Sequence, residues 1–207
     1  MNKATLIACL FIAAMTASLE AQDFTNLNFE DAMVSGSSGV FATSDALPGW
    51  SAFAGTNELS TIPYNAGGSL SPYGLEGSNS LVISGNFSVA LGRFSISQTG
   101  PVPSGTESLL FDSYGPSLLV SLGGENLSYT AIASGTNSYG YSYSTYAANI
   151  SAFAGQVETL TFSGSGILDD IQFSPEAIPE PSTAPLVFLG SGILFYVRRL
   201  RKKRRLA

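Results

Sequence analysis

The sequence lacks histidine altogether and contains one cysteine, so several chemistries are excluded before any motif is considered. Without histidine there is no Ser-His-Asp triad, no Cys-His pair and no imidazole ligand for zinc or haem iron. The single cysteine, Cys9, lies in an apolar stretch near the N-terminus, so the rest of the chain has neither a disulfide nor a thiol nucleophile. Carboxylate chemistry, hydroxyl chemistry and the binding of hard cations remain.

Basic residues are also scarce, and nearly all of them lie towards the ends of the chain. Of nine lysines and arginines, Lys3 is near the N-terminus and seven lie within residues 198–205. Between residues 23 and 178, thirteen carboxylates are accompanied by a single cation, Arg93, so this body carries a net charge of −12. Such a body repels phosphate backbones and has almost no basic side chains to contact them, which excludes nucleic-acid binding.

Residues 1–21 have the pattern of a secretory signal peptide. Lys3 supplies a positive n-region, residues 4–17 are almost wholly apolar, and small residues lie close to the expected cleavage point after Ala21. The partners predicted for this segment are the Sec translocon and signal peptidase. A lipoprotein signal at Cys9 is disfavoured, because too few apolar residues precede the cysteine.

Three features follow one another at the C-terminal end. Residues 175–183 form a linker containing Pro179-Glu180-Pro181 and Ser182, and its prolines keep the chain extended and accessible. Residues 184–197 are mostly apolar and predict a short transmembrane helix. Residues 198–207 form a basic tail that the positive-inside rule places in the cytoplasm, with the acidic body on the other side of the membrane. Its basic residues are Arg198, Arg199, Arg201, Lys202, Lys203, Arg204 and Arg205.

This order of Pro-Glu-Pro, short apolar helix and arginine-rich tail resembles the PEP-CTERM sorting signal of Gram-negative bacteria. The resemblance covers about the last 30 residues. It implies recognition by an exosortase, an integral membrane cysteine protease-transpeptidase, with processing near Pro179-Glu180-Pro181. It also implies transient anchoring in the inner membrane, followed by delivery to the cell surface or the extracellular matrix. An ordinary C-terminal membrane anchor with stop-transfer charges is the alternative.

Residues 22–174 are predicted to be one all-β domain, a β-sandwich or jelly roll. It is rich in Ser, Gly, Thr, Asn, Tyr and Phe, and turn residues interrupt short apolar segments roughly every 8–12 positions. No stretch has a sustained apolar period of 3.6 residues, so helix is expected to be minor. The length suffices for one core and leaves little room for a second domain. The expected strands are residues 24–30, 50–53, 59–64, 80–83, 87–97, 108–113, 117–122, 127–133, 139–150, 157–162 and 167–173.

Short segments of the body resemble the galactose-binding-like jelly roll of carbohydrate-binding modules and secreted bacterial proteins. They are Asn28-Phe29-Glu30, Leu47-Pro48-Gly49-Trp50, residues 150–156 and Leu168-Asp169-Asp170-Ile171. In jelly rolls of this type the first and last strands are neighbours, and a calcium ion often joins them. The resemblance implies a structural Ca²⁺ site whose best matches are Glu30 and Asp170, and oxygen ligands suit calcium rather than zinc. The alternative is that both carboxylates cap turns or lie in solvent.

Aromatic side chains are the candidate glycan contacts, because sugar rings stack on aromatic faces. Trp50 is the only tryptophan, and such a residue in a β-sandwich is more often part of the core. Tyr139, Tyr141 and Tyr143 fall on one face of an extended strand. They form either a stacking platform or, as we favour, cross-strand packing on an exposed sheet.

The sequence therefore predicts a non-enzymatic, exported protein that needs no cofactor and belongs to the envelope or the extracellular polysaccharide matrix. A carbohydrate-binding module that recognises exopolysaccharide is the first alternative. A glycoside hydrolase is the second, and it requires two carboxylates about 5–5.5 Å apart for retention or about 6.5–9.5 Å apart for inversion. The carboxylates of the body are scattered in turn-like contexts, and Arg93 is the only cation there to tune them. We therefore expect no catalytic residues.

Overall fold

The computed structural model describes residues 22–35, 38–64, 76–78, 88–91, 94–137, 140 and 142–178. Strands dominate these ranges, and the two helical segments span only four and three residues, Thr43–Ala46 and Ser151–Phe153. The predicted all-β class and the minor helix content are confirmed. The strands in this part of the chain are β1 (Gly39–Ala42), β2 (Ser51–Ala54), β3 (Asn57–Glu58), β4 (Thr61–Tyr64), β5 (Glu76–Ser78), β6 (Ser88–Ala90), β7 (Ser95–Pro101), β8 (Ser108–Leu122), β9 (Glu125–Asn126), β10 (Tyr129–Thr136), β11 (Ser142–Asn149) and β12 (Val157–Ser174).

Two long strands organise the sheet. β8 and β12 pair antiparallel from Leu160 opposite Leu122 to Ser174 opposite Ser108. Along the other edge of β12, residues 157–163 pair with β7 and residues 167–168 pair with β6. The strand order is β1-β4-β5-β6-β12-β7-β2-β3. Outside this order, β8 pairs with β9 and β11 as well as with β12, and β11 pairs in turn with β10. All these pairs are antiparallel except β4 with β5, which is parallel.

The long strands divide the sheet into two halves. The first half contains β3, β2, β7, β9 and the paired residues 157–164 of β12 and 118–122 of β8. The second half contains the other strands together with residues 167–174 of β12 and 108–114 of β8. The register of β12 against β8 shifts between Ser165 and Ile167, where the halves join. Gly164 has φ of 101°, a conformation that L side chains rarely adopt.

The core lies where aromatic rings from the two halves meet. Phe162 of the first half contacts Phe111 of the second, with ring centroids 5.4 Å apart. The Tyr129 hydroxyl group in β10 donates a hydrogen bond to the carbonyl oxygen of Leu118 in the other half. These contacts between facing halves are consistent with a β-sandwich. Burial alternates along the strands as that arrangement requires, with Leu160, Phe162, Val120, Leu122 and Ile96 all buried.

The N-terminal segment, residues 22–31, differs from its prediction. Residues 24–30 were expected to form a strand, but they run as an irregular segment with positive φ at Asn26 (50°) and Phe29 (58°). The Asn26 side chain explains the turn: its Nδ2 donates to the Pro48 carbonyl oxygen at 3.2 Å, and its Oδ1 accepts from the Asp31 amide at 3.0 Å. Such local side-chain bonds compete with strand pairing. The strand prediction is therefore wrong here, and β1 was not anticipated.

Three other predicted boundaries also change. The expected strand 87–97 is two strands, β6 and β7. The expected strands 108–113 and 117–122 are one strand, β8, and 157–162 and 167–173 are one strand, β12. The glycines and proline between them suggested turns, but each long strand remains paired with the other through this region. The expected strand 80–83 lies outside the described residues, as do residues 1–21 and most of the C-terminal segment. No helix within the described ranges is long and apolar enough to cross a membrane.

Candidate functional site

The sorting segment begins where the last strand ends. β12 ends at Ser174, and the Ser108 hydroxyl group donates to the Glu176 carbonyl oxygen at 2.7 Å. The Glu176 amide in turn donates to Ser174 Oγ at 3.1 Å. These bonds fix the direction in which the chain leaves the body, and residues 175–177 are exposed. The predicted processing residues Pro179, Glu180, Pro181 and Ser182, the predicted helix 184–197 and the basic residues of the tail lie outside the described residues.

The segments that carry Glu30 and Asp170 contact each other, the N-terminal segment lying against the last strand. The Ile171 amide donates to the Leu27 carbonyl oxygen at 2.9 Å. The rings of Phe24 and Phe173 pack with centroids 4.9 Å apart. Glu30 is half-buried, Asp170 is exposed, and Asp170 has φ of 46°. The two segments that carry these carboxylates thus lie side by side.

The ligand set of this predicted calcium site stays a prediction. The described residues contain no group of three or more acidic or cysteine side chains placed to hold a metal ion. A calcium site at Glu30 and Asp170 would therefore draw its other oxygen ligands from backbone carbonyl groups or water, which calcium accepts readily.

A buried carboxylate pair lies beside Asp170 and was not anticipated. Asp169 is fully buried, and its partner across the β8–β12 pair is Asp112, which is 9% exposed. Burial raises the pKa of Asp112, a hydrogen bond with Thr145 opposes that rise, and the negative charge of Asp170 adds to it. The Asp169 carboxylate accepts a hydrogen bond from the Asp170 amide at 2.9 Å. Alternation places Asp112 on the opposite strand face from Phe111, a face that local pattern alone would assign to solvent.

Trp50 is a core residue. Only 4% of it is exposed, and its ring contacts Phe29 and Phe162 with centroids 5.6 and 6.4 Å away. The indole Nε1 donates to the Asn26 carbonyl oxygen at 3.1 Å. A ring enclosed in this way has no free face for a sugar, so the candidate glycan contact at Trp50 is corrected to a core role.

Of the three tyrosines, only Tyr143 falls within the described residues. It lies in β11 opposite Gly135 of β10. A Cβ atom added at Gly135 would lie 2.5 Å from the Tyr143 hydroxyl oxygen, so the ring covers the glycine. This is the cross-strand packing favoured for the tyrosines, and it occupies one side of the ring. Tyr139 and Tyr141 lie outside the described residues.

The outer surface of the first half carries eight hydroxyl side chains, called here the hydroxyl face, which the sequence analysis did not identify. Its residues are Ser51, Ser95, Ser97, Thr99, Ser121, Thr159, Thr161 and Ser163. The exposed side chains of Leu119 and Val157 lie on the same surface. Four of them stand in one row across four strands, from Ser51 in β2 to Ser121 in β8. Thr99 and Thr159 hydrogen-bond to each other through their hydroxyl groups at 2.7 Å. Alternation of small polar residues with the buried row of Leu160 and Phe162 would have revealed this face.

Two open clefts adjoin these features. One, of about 500 Å³, lies between the short helix and β2, and Glu58 is its only carboxylate. Glu58 accepts a hydrogen bond from the Ser51 hydroxyl group at 2.9 Å. The other, of about 600 Å³, lies beside Phe24 and Phe173, and Asp23 is its only carboxylate. Neither cleft therefore brings together the two carboxylates that glycoside hydrolysis requires.

Comparison with known proteins gives one match, at the C-terminal end. Residues 177–202 match the PEP-CTERM protein-sorting motif. No curated protein matches the chain, and no solved structure matches it. The matched range includes Pro179-Glu180-Pro181, the apolar segment and the first arginines of the tail. The chain therefore carries a PEP-CTERM sorting motif, the substrate signal for exosortase processing, after a β-rich body that is consistent with a jelly roll.

Proposed function

We propose that this protein is a non-catalytic component of the envelope or the extracellular polysaccharide matrix of a Gram-negative bacterium. The observation that carries the proposal is the PEP-CTERM motif at residues 177–202, which implies export and membrane-associated sorting. The final location and the non-catalytic role are our inference from the body attached to that motif. The body is proposed to be a jelly roll whose first and last segments are joined by calcium at Glu30 and Asp170.

The proposed sorting sequence follows from the order of the segments. Residues 1–21 direct export, residues 184–197 halt in the inner membrane, and the basic tail remains in the cytoplasm. The linker 175–183 spans at most about 30 Å when fully extended, so the folded body stays close to the membrane. Exosortase then cleaves near Pro179-Glu180-Pro181 and releases the body from its helix.

The surface of the body supports a role among polysaccharides. The residues of the hydroxyl face are neutral hydrogen-bonding groups, similar in chemistry to the hydroxyl groups of sugars. The rest of the body is acidic, with Arg93 as its single cation, so its net charge repels anionic polymers and membranes. A hydrated, neutral face on an acidic body is suited to many weak contacts within a glycan network.

The buried acids give no support to the glycosidase alternative. Asp112 and Asp169 are close in the sheet, but Asp169 is fully buried and Asp112 nearly so. A general acid and its partner must reach the glycosidic oxygen and the anomeric carbon of a bound sugar. Carboxylates enclosed between strands are not placed for that contact.

The test is the fraction of the protein that is retained in the matrix of the producing bacterium. We expect the wild-type chain to be recovered with exopolysaccharide. A variant with Thr99→Val, Thr159→Val and Thr161→Val removes three hydroxyl groups at nearly constant shape, and we expect its retained fraction to fall several-fold. Thr130→Val, at an exposed site on β10, is the matched control. If wild-type protein is absent from the matrix, the proposed function is wrong; if only the triple variant is unaffected, the hydroxyl face is not the contact surface.

The second candidate function is a carbohydrate-binding module. Its specific support is the cleft at Glu58, which offers a carboxylate and several hydroxyl groups to a sugar. A glycan array probed with the exported protein separates the two functions. Tight binding to one defined glycan, lost in Glu58→Gln, would favour the module, whereas the matrix-component proposal predicts weak retention on many polysaccharides.

A further inference from the structure

The edges of the sheet are not equally protected. Among the described residues, four strands have one strand neighbour each, namely β1, β3, β9 and β10. β3 and β9 are two residues long and carry Glu58 and Glu125. Short length and a charged side chain are common ways in which proteins prevent a sheet edge from pairing with another chain.

β10 lacks this protection. It spans eight residues, Tyr129–Thr136, and none of them is charged or proline. Six of the eight are exposed, including Ile132, which is 45% exposed. Its neighbour β11 is also free of charged residues, so this corner of an acidic body is neutral. The edge of β10 that faces away from β11 presents a row of backbone N–H and C=O groups, flanked by uncharged and mostly small side chains.

We propose that β10 pairs antiparallel with β10 of a second copy of this chain, in the regular stretch that begins at Ala133, with Ser134 opposite Ser134 of the second copy. A register shift between Ala131 and Ala133 sets Ile132 apart from the ladder and leaves this stretch regular. The contact is self-complementary about a two-fold axis, because identical edges exchange the same hydrogen bonds.

The distribution of charge determines where two copies of the chain can approach each other. The body has thirteen carboxylates and one arginine, so two copies repel each other wherever charged surfaces approach. The neutral β10–β11 corner is where two acidic bodies can meet at the lowest electrostatic cost. Because the remaining repulsion acts between exposed charges, salt should strengthen the pairing as the Debye length shrinks from about 30 Å at 0.01 M to about 3 Å at 1 M. This inference goes beyond the proposed function, since it requires no glycan.

The test is disulfide cross-linking of the full chain, purified in detergent from the membrane fraction with Cys9 replaced by serine. Single cysteines are introduced by Thr130→Cys, Ser134→Cys or Thr136→Cys, with Ser104→Cys in an exposed turn as the control. We expect cross-linked dimer to peak at Ser134, the site on the two-fold axis, and to increase with salt. In the chain without an added cysteine, Ser134→Glu should lower the dimer measured by analytical ultracentrifugation about fivefold, because the two glutamates then face each other across the pair. Ser104→Glu adds the same charge elsewhere and should not lower it.

The outcomes distinguish the pairing from other contacts. Dimer that forms equally from all four cysteine sites would overturn the proposal, and so would dimer that Ser134→Glu leaves unchanged. Association through the predicted membrane helix would give dimer that does not change in Ser134→Glu. A fall in dimer with rising salt would also overturn it, because it would show that charged surfaces, not the neutral edge, hold the copies together. Circular dichroism of Ser134→Glu, expected to match wild type, shows that loss of dimer is not loss of folding.

Discussion

Replacement of Trp50 by phenylalanine tests whether this ring holds the core together. The substitution removes the indole N–H, which leaves the Asn26 carbonyl oxygen without its 3.1 Å donor in a largely buried setting. That oxygen keeps its longer bond from the Phe29 amide, at 3.3 Å, so the loss is that of one buried hydrogen bond, about 0.5–1.5 kcal/mol. The smaller ring also leaves space beside Phe29 and Phe162, which adds roughly 1 kcal/mol. We therefore expect the free energy of unfolding to fall by about 1.5–2.5 kcal/mol.

The assay is urea denaturation followed by far-ultraviolet circular dichroism, which does not depend on the tryptophan itself. With a slope of about 1–3 kcal/mol per molar urea, the midpoint should fall by about 1 M with little change in slope. Tyr143→Phe is the matched control, because it keeps the ring over Gly135 and removes only a hydroxyl group. A midpoint for Trp50→Phe close to the wild-type value would refute the reasoning. If Trp50→Phe reduced glycan retention without changing stability, Trp50 would be a glycan contact.

Three further predictions concern charge, calcium and sorting. Burial raises the pKa of Asp112 in the folded state, so ionisation of this carboxyl group destabilises the fold at pH values above that pKa. This destabilisation decreases as the pH falls through the pKa and the group becomes protonated. Asp112→Asn should therefore raise the melting temperature at pH 7 and lose this advantage in acid; a variant less stable than wild type at pH 7 would contradict this. If calcium joins the first and last segments, Ca²⁺ should raise the melting temperature relative to chelator, and Glu30→Gln with Asp170→Asn should abolish the difference. An equal midpoint with and without Ca²⁺ counts against the site. Deletion of residues 198–205 should trap an unprocessed form, and normal release of this variant would argue against PEP-CTERM sorting.

The parts of the fold that the sequence predicted are those governed by local pattern. The absence of a 3.6-residue apolar period predicted little helix, and the single tryptophan was favoured as a core residue. The sorting motif was also readable, because its three features are contiguous in the chain and need no tertiary structure.

The parts that the sequence did not predict depend on contacts between distant segments. Gly115-Pro116 and Gly164-Ser165-Gly166 look like turns, yet β8 and β12 continue through them because each long strand pairs with the other. The turn at Asn26 depends on the Pro48 carbonyl oxygen, which is 22 residues away along the chain. The register that places Asp112 opposite Asp169 is set by the pairing of two distant strands, and no local pattern specifies it.

The central claim is that this chain is an exported protein sorted through its PEP-CTERM motif. Intact mass spectrometry of the protein recovered from the cell surface or matrix of the producing bacterium tests it most directly. We predict a chain that begins near Gln22 and ends near Pro179-Glu180-Pro181. We also predict that this form disappears when the gene for the exosortase is deleted. Surface protein that retains residues 184–207, with or without exosortase, would contradict this claim.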